Sequence, residues 1–261
     1  KLGSARQVGL LSRANSTVNI FMYVAGSAIT FGSQTYLSKA HHAKQSLEPL
    51  LHRAIGLVTA VGWPMLAVTV VAAEDVIVGL YGDQWIEAAP AILPLALMAA
   101  IDLTFHYKVP AFNAIGRPYL SSIPLLITAA SRIGLGVMLF TGDIVSFSWA
   151  LMLATLATAP AWLILQRQYL GTNVLPFLAM LLPSALVAGL SAATAFVTMG
   201  LIRAVGVDLP LLRLAIIAVP TGIVWLASLR ALSHPLFDEI MLFAGKLGLP
   251  LARTSTQAEA G

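Results

Sequence analysis

A chain of 261 residues that is 58% hydrophobic and only 10% charged cannot cover itself with water-facing side chains, because a soluble domain carries about 25% charged residues. It is the sequence of a membrane protein. The absence of cysteine excludes a disulfide framework and thiolate chemistry. The formal charge of +4 reads as membrane topology and not nucleic-acid binding once its cations are placed along the chain.

The opening, KLGSARQVGLLSRA, is polar, has neither signal peptide nor initiator methionine, and is expected to lie inside a longer protein. A bilayer-spanning helix needs about 20 mostly apolar residues, since hydrocarbon cannot replace a lost backbone hydrogen bond. Seven stretches meet that requirement: Asn15–Ser38, Ala54–Ala73, Ala88–Tyr107, Tyr119–Phe140, Ile144–Gln166, Val174–Ile202 and Leu211–Ala231. Pro64, Pro94, Pro160, Pro183 and Pro220 fall inside them, which bundles tolerate. The sixth is long enough to tilt or to break at Pro183. An amphipathic piece follows at Pro235–Leu249, and residues 1–249 read as one helical membrane domain. The small polar tail at 250–261 reads as disordered.

Span one is polar on one side only. At 100° per residue, Asn15, Ser16, Asn19, Tyr23, Ser27, Thr30, Ser33 and Gln34 fall within a sector of about 120°. Two readings stay open. The stripe is either the wall of a wet cavity that hydrogen-bonds sugar hydroxyls, or glue between helices in lipid.

Ionisable residues at membrane depth are costly and point to function or to pairing. Asp102 and His106 lie four apart in span three, where one helical face would let them interact, and they are candidates for a coupling ion. Arg132 lies roughly 20 Å into span four, measured from Tyr119. Its guanidinium suits a lipid diphosphate, and a structural partner is the alternative. His41, His42 and His52, with Glu48 the one nearby carboxylate, read as a solvated loop and no metal site. There is no glycine-rich nucleotide signature and no cofactor is expected.

The connections alternate in charge. Those after spans one, three, five and seven carry nine Lys and Arg residues, and the opposite side, with the amino-terminal stretch, carries five. The positive-inside rule makes the nine-cation side cytoplasmic, with the carboxy terminus on it. The stretch LYGDQWIEAAPAILPLAL, residues 80–97, then faces outward. Tyr81 and Trp85 favour the headgroup level, and DVIVGLY reads as a helix ending stopped by Gly79 or Gly82.

The order LGSARQVGLLSRANSTVNI, LYGDQWIEAAP and AFNAIGRPYL resembles the polysaccharide and oligosaccharide flippases of the multidrug/oligosaccharidyl-lipid/polysaccharide exporter superfamily. The likeness covers about residues 2–130. It implies an all-α polytopic membrane fold of about seven helices, equivalent to helices eight to fourteen of a two-lobe exporter. The implied partners are the bilayer, a lipid-linked glycan and an amino-terminal lobe absent from this chain. The implied function is flipping of a lipid-linked oligosaccharide or polysaccharide precursor across the inner (cytoplasmic) membrane by alternating access, without covalent chemistry. The candidate substrate contacts are Asn15, Asn19, Tyr23, Ser27, Thr30, Gln34 and Arg132. Alternatives are a membrane enzyme acting on polyprenyl-linked glycans, with the acids at 74–87 as its candidates, and a drug/cation antiporter of the same superfamily.

Overall fold

A computed structural model describes residues 4–30 and 33–246, with side chains placed except at 25–30, 33–36 and 246. The described chain runs α1 (Ala5–Thr30), α2 (Ser33–His42), α3 (Glu48–Val71), α4 (Ala73–Tyr81), α5 (Ile92–Thr104), α6 (Lys108–Ala114), α7 (Ser122–Leu139), α8 (Ile144–Leu170), α9 (Val174–Val205), α10 (Pro210–Ala231) and α11 (Pro235–Lys246). Short 3₁₀ segments, Asp83–Ala91 and Pro118–Ser121, lead into α5 and α7. The predicted tail at 250–261 lies outside the described residues.

Among the described residues six helices are long and apolar enough to cross a bilayer: Glu48–Val71, Asp83–Ala114, Pro118–Leu139, Ile144–Leu170, Val174–Val205 and Pro210–Ala231. Their surfaces say the same. Leu126, Ile133, Val137 and Met138 of α7 are 71% to 78% exposed, a cost that only lipid removes. The protein is an all-α polytopic membrane protein.

The predicted first span differs. Its helix, α1, starts at Ala5 and not Asn15, and it is not among the six apolar crossings. The polar stripe dilutes its hydropathy. It nevertheless threads the bundle: Arg6 and Arg13 meet residues 81–87 at one end, while α2 packs on α6 at the other. The long sixth span is unbroken, since α9 runs through Pro183 to Val205. Gly82, at φ +92°, stops α4, the second of the two glycines expected to do so.

The core lies among α1, α3, α5, α6 and α8, where Val18, Ile55, Leu66, Leu95, Leu103, Phe112 and Trp162 are buried in one cluster. α7 packs on α8, α9 packs on α3, and α10 packs on α9 and α4. Connections gather at two ends. At one, which may be called the Trp85 end for its residue, Glu74 faces Arg203 at 3.9 Å and buried Asp75 pairs with Arg213 at 3.2 Å. At the opposite, Lys108 end, Glu48 accepts from the Asn173 N–H at 2.9 Å, Arg117 stacks on Tyr169, and Arg53 pairs with Glu239. This grouping reproduces the alternation of loops read from the spans.

Candidate functional site

α1 presents two faces of different chemistry. Leu10, Ala14, Thr17 and Val18 are buried against the core. On the other side Ser12 and Asn19 are exposed, Asn15 and Ser16 are half-buried, and Tyr23 is 77% exposed. Among the described residues the side chains of Asn15 and Asn19 have no hydrogen-bond partner. The polar residue that does join helices is off the stripe: Thr17 donates to the Arg13 carbonyl at 2.9 Å and lies 3.4 Å from the Tyr81 hydroxyl. Ser27, Thr30 and Gln34 fall outside the residues whose side chains are described. Ser12 extends the stripe by one turn, because the helix begins earlier than its apolar run.

The first turns of α1 form a joint that the sequence reading treated as two separate motifs. Arg6 pairs with Glu87 at 2.8 Å. The Arg13 guanidinium lies over two rings, 4.9 Å from the centroid of Trp85 and 5.3 Å from that of Tyr81. Gly9 permits this approach. A Cβ there would come within 3.2 Å of the Trp85 ring. Gln7 donates to the Gly142 carbonyl and ties the joint to the α7–α8 turn. Cations and aromatic rings at one membrane edge were legible, but that they meet across more than sixty residues was not.

The intramembrane ionisable groups divide. Asp102, Lys108, Thr128, Arg132, Thr158 and Trp162 line one pocket of about 140 Å³ between α5, α7 and α8. The ion pair of Asp102 is with Lys108, at 3.2 Å, and Lys108 sits over the Trp162 ring at 4.9 Å. Helical spacing predicts an Asp102–His106 face, but α5 ends at Thr104, and the turn at 105–107 removes that register. His106 meets the edge of the Tyr107 ring at 5.1 Å and stays within electrostatic reach of Asp102 and Lys108. Asp102 and Arg132 are brought to one pocket, to which no described side chain of α1 contributes.

A third feature is a groove of about 470 Å³, lined almost wholly by carbon, among α1, α3, α4, α9 and α10. Phe21, Met65, Leu214 and Trp225 form its walls. Ser191 and Thr221 also line it, with buried hydroxyls that have no partner among the described residues.

These features define a polytopic helical membrane protein with a polar helix face open to its surroundings and an apolar groove beside it. Residues 1–90 match a protein family described as polysaccharide biosynthesis protein. The match ends at the close of the 3₁₀ segment, so it holds both halves of the α1–Trp85 joint. No curated protein and no solved structure matches the chain.

Proposed function

We propose that the chain is the carboxy-terminal part of a flippase that carries a lipid-linked oligosaccharide or polysaccharide precursor across the inner membrane. The observation that carries this reading is the open polar face of α1. Asn19 and Tyr23 point away from the core while Thr17 and Val18 seat the helix in it. Hydrogen-bonding groups turned to lipid cost free energy, and a wet cavity or a glycan removes that cost. The family likeness of residues 1–90 supports a polysaccharide precursor as cargo. The opposing wall would be an amino-terminal lobe of the same transporter, and rocking of one lobe against the other would open the cavity to each side in turn. No bond is made or broken.

In this reading Asn15, Asn19, Tyr23, Ser27, Thr30 and Gln34 contact sugar hydroxyls. Arg132 takes a phosphate of the lipid carrier, and Asp102 and His106 belong to ion coupling. The groove beside α1 suits the apolar tail of such a carrier. The Lys108 end, with its excess of cations, is cytoplasmic, and α11 lies on that side.

The test compares two faces of one helix in the whole transporter. Asn19→Leu reduces glycan export several-fold with protein level unchanged, because an open side chain contributes little packing. Thr17→Val, on the seated face, lowers protein level and export together. If Asn19→Leu tracks Thr17→Val in both measurements, the open face serves packing and the cavity assignment is wrong.

A further inference from the structure

A histidine that the transport reading leaves unused is buried where α10 turns into α11. His234 is 3% exposed. Its two ring nitrogens have different partners. The Leu236 N–H donates to Nδ1 at 3.1 Å, so Nδ1 is the acceptor and carries no proton in this arrangement. Leu236 lies in the first turn of α11. His234 thus caps that helix, in the role that Ser, Asp or Asn usually fills. The neutral ring then holds its proton on Nε2, which faces Ser184 Oγ of α9 at 3.3 Å. Ser184 lies 3.0 Å from Thr59 Oγ1 and within reach of the Gly56 carbonyl, both of α3. One imidazole therefore ties α11 to α9 and, through Ser184, to α3.

The surroundings favour a neutral ring. Ala60, Val187, Leu229 and Leu236 form the buried cluster at this corner, with Trp225 and Ile240 packed on it. The charged groups on the adjoining elements are directed elsewhere. Arg53 of α3 pairs with Glu239 of α11, Arg230 in the last turn of α10 is exposed, and so is Asp238 in the first turn of α11. α9 brings the uncharged Ser184. Among the described residues no carboxylate forms an ion pair with His234.

We propose that His234 is a pH-operated latch: neutral, it caps α11 and holds that helix against α3 and α9, and protonation at Nδ1 releases it. The added proton turns the cap's acceptor into a donor facing the Leu236 N–H, and it places a charge in an apolar corner. Burial holds the docked ring below the ordinary value of 6.5. The released ring titrates at that ordinary value. Docking is therefore at full strength above it and weakens as pH falls from there through the docked pKa, by up to about tenfold per pH unit. Leu242 and Phe243 of α11 are 62% and 64% exposed, so the freed helix has an apolar edge with which to lie on the bilayer surface.

Hydrogen exchange of residues 235–246, measured on the chain in lipid nanodiscs and corrected for the intrinsic pH dependence of exchange, tests this. Protection should fall as pH is lowered from 7.5 to 5 in the wild type. It should stay flat in His234→Asn, whose Oδ1 can replace Nδ1 as the cap but does not titrate. Protection that is flat in the wild type, or that falls equally in His234→Asn, overturns the latch. A second measurement does not depend on the variant folding. The chain has no native cysteine, so a spin label at Leu242→Cys reports α11 alone. Its mobility should rise over the same pH range, and an unchanged lineshape overturns the proposal.

Discussion

Arg13 shows how one side chain is settled by residues far along the chain. In the sequence it is a cation near a membrane edge. In the fold its guanidinium lies over Trp85 and Tyr81 while Gly9, one turn earlier, makes room for the ring. A cation over an aromatic face contributes about 1 kcal/mol, and more where water is excluded. A double-mutant cycle on Arg13→Ala and Trp85→Ala, followed by thermal unfolding in detergent, should give a coupling of about 1 kcal/mol; additive losses would remove the interaction. Asp143 is a local case. Its carboxylate accepts from the N–H groups of Val145 and Ser146 and from the Thr141 hydroxyl, capping α8. These bonds, that from Thr141 foremost, hold its pKa down to about 2 against an ordinary 3.8. The cap is thus intact above the ordinary value and is lost as pH falls toward 2. Asp143→Ala should cost about 1 kcal/mol at neutral pH. The gap between variant and wild type should close in acid, and a gap that persists at pH 2 would mean that the carboxylate does not act through its charge.

The helices were more legible than their ends. Length and hydropathy give seven crossings, six of which recur among the described residues, because hydrocarbon admits hardly any other backbone. They fail at boundaries set by contacts. α1 extends back to Ala5 through a polar stretch because Glu87, Trp85 and Gly142 hold it there. The Asp102–His106 pairing assumed a helix that ends at Thr104. The polar stripe was visible as a period, and which of its residues face outward required the fold. Thr17, which joins helices, lies on the opposite, buried face, where a single hydroxyl makes no periodic signal. Sidedness is the testable property at this scale. Ser46 and Gln84 are exposed at opposite ends of the bundle, and the chain offers no competing thiol. Cysteines at these two positions should react with an impermeant maleimide from opposite faces of the membrane, Gln84→Cys from outside. Labelling of both from one face would break the crossing count between them.

At the scale of the whole molecule, the distribution of polarity on the outside decides what the chain can do alone. α7 and α10 are peripheral, with only 11% and 17% of their spans buried, and between their end turns their exposed faces are apolar apart from Arg132 of α7. Lipid suits the apolar part of these surfaces as it stands. α1 is different, for Ser12, Asn19 and Tyr23 lie on a surface whose neighbours Val8, Ile20 and Val24 are apolar and also exposed. Such a mixed face suits neither bulk lipid nor a dry helix interface, and it fits a boundary between a cavity and a second lobe. The groove of about 470 Å³ runs beside the same helix and shares Phe21 with it. A carrier's apolar tail in that groove and its sugars along the stripe would both be held, but on one side only. Transport by alternating access requires that the site be closed in turn toward each face of the membrane, which one lobe without an opposing wall cannot do. The 261-residue chain, reconstituted in vesicles, should therefore bind a polyprenyl-linked glycan weakly at most and translocate none. A fluorescently labelled lipid-linked oligosaccharide in the inner leaflet should stay protected from an external quencher at the rate of protein-free vesicles. Quenching that rises in proportion to the amount of this chain would show that a single lobe suffices, and the open face of α1 would then need another explanation.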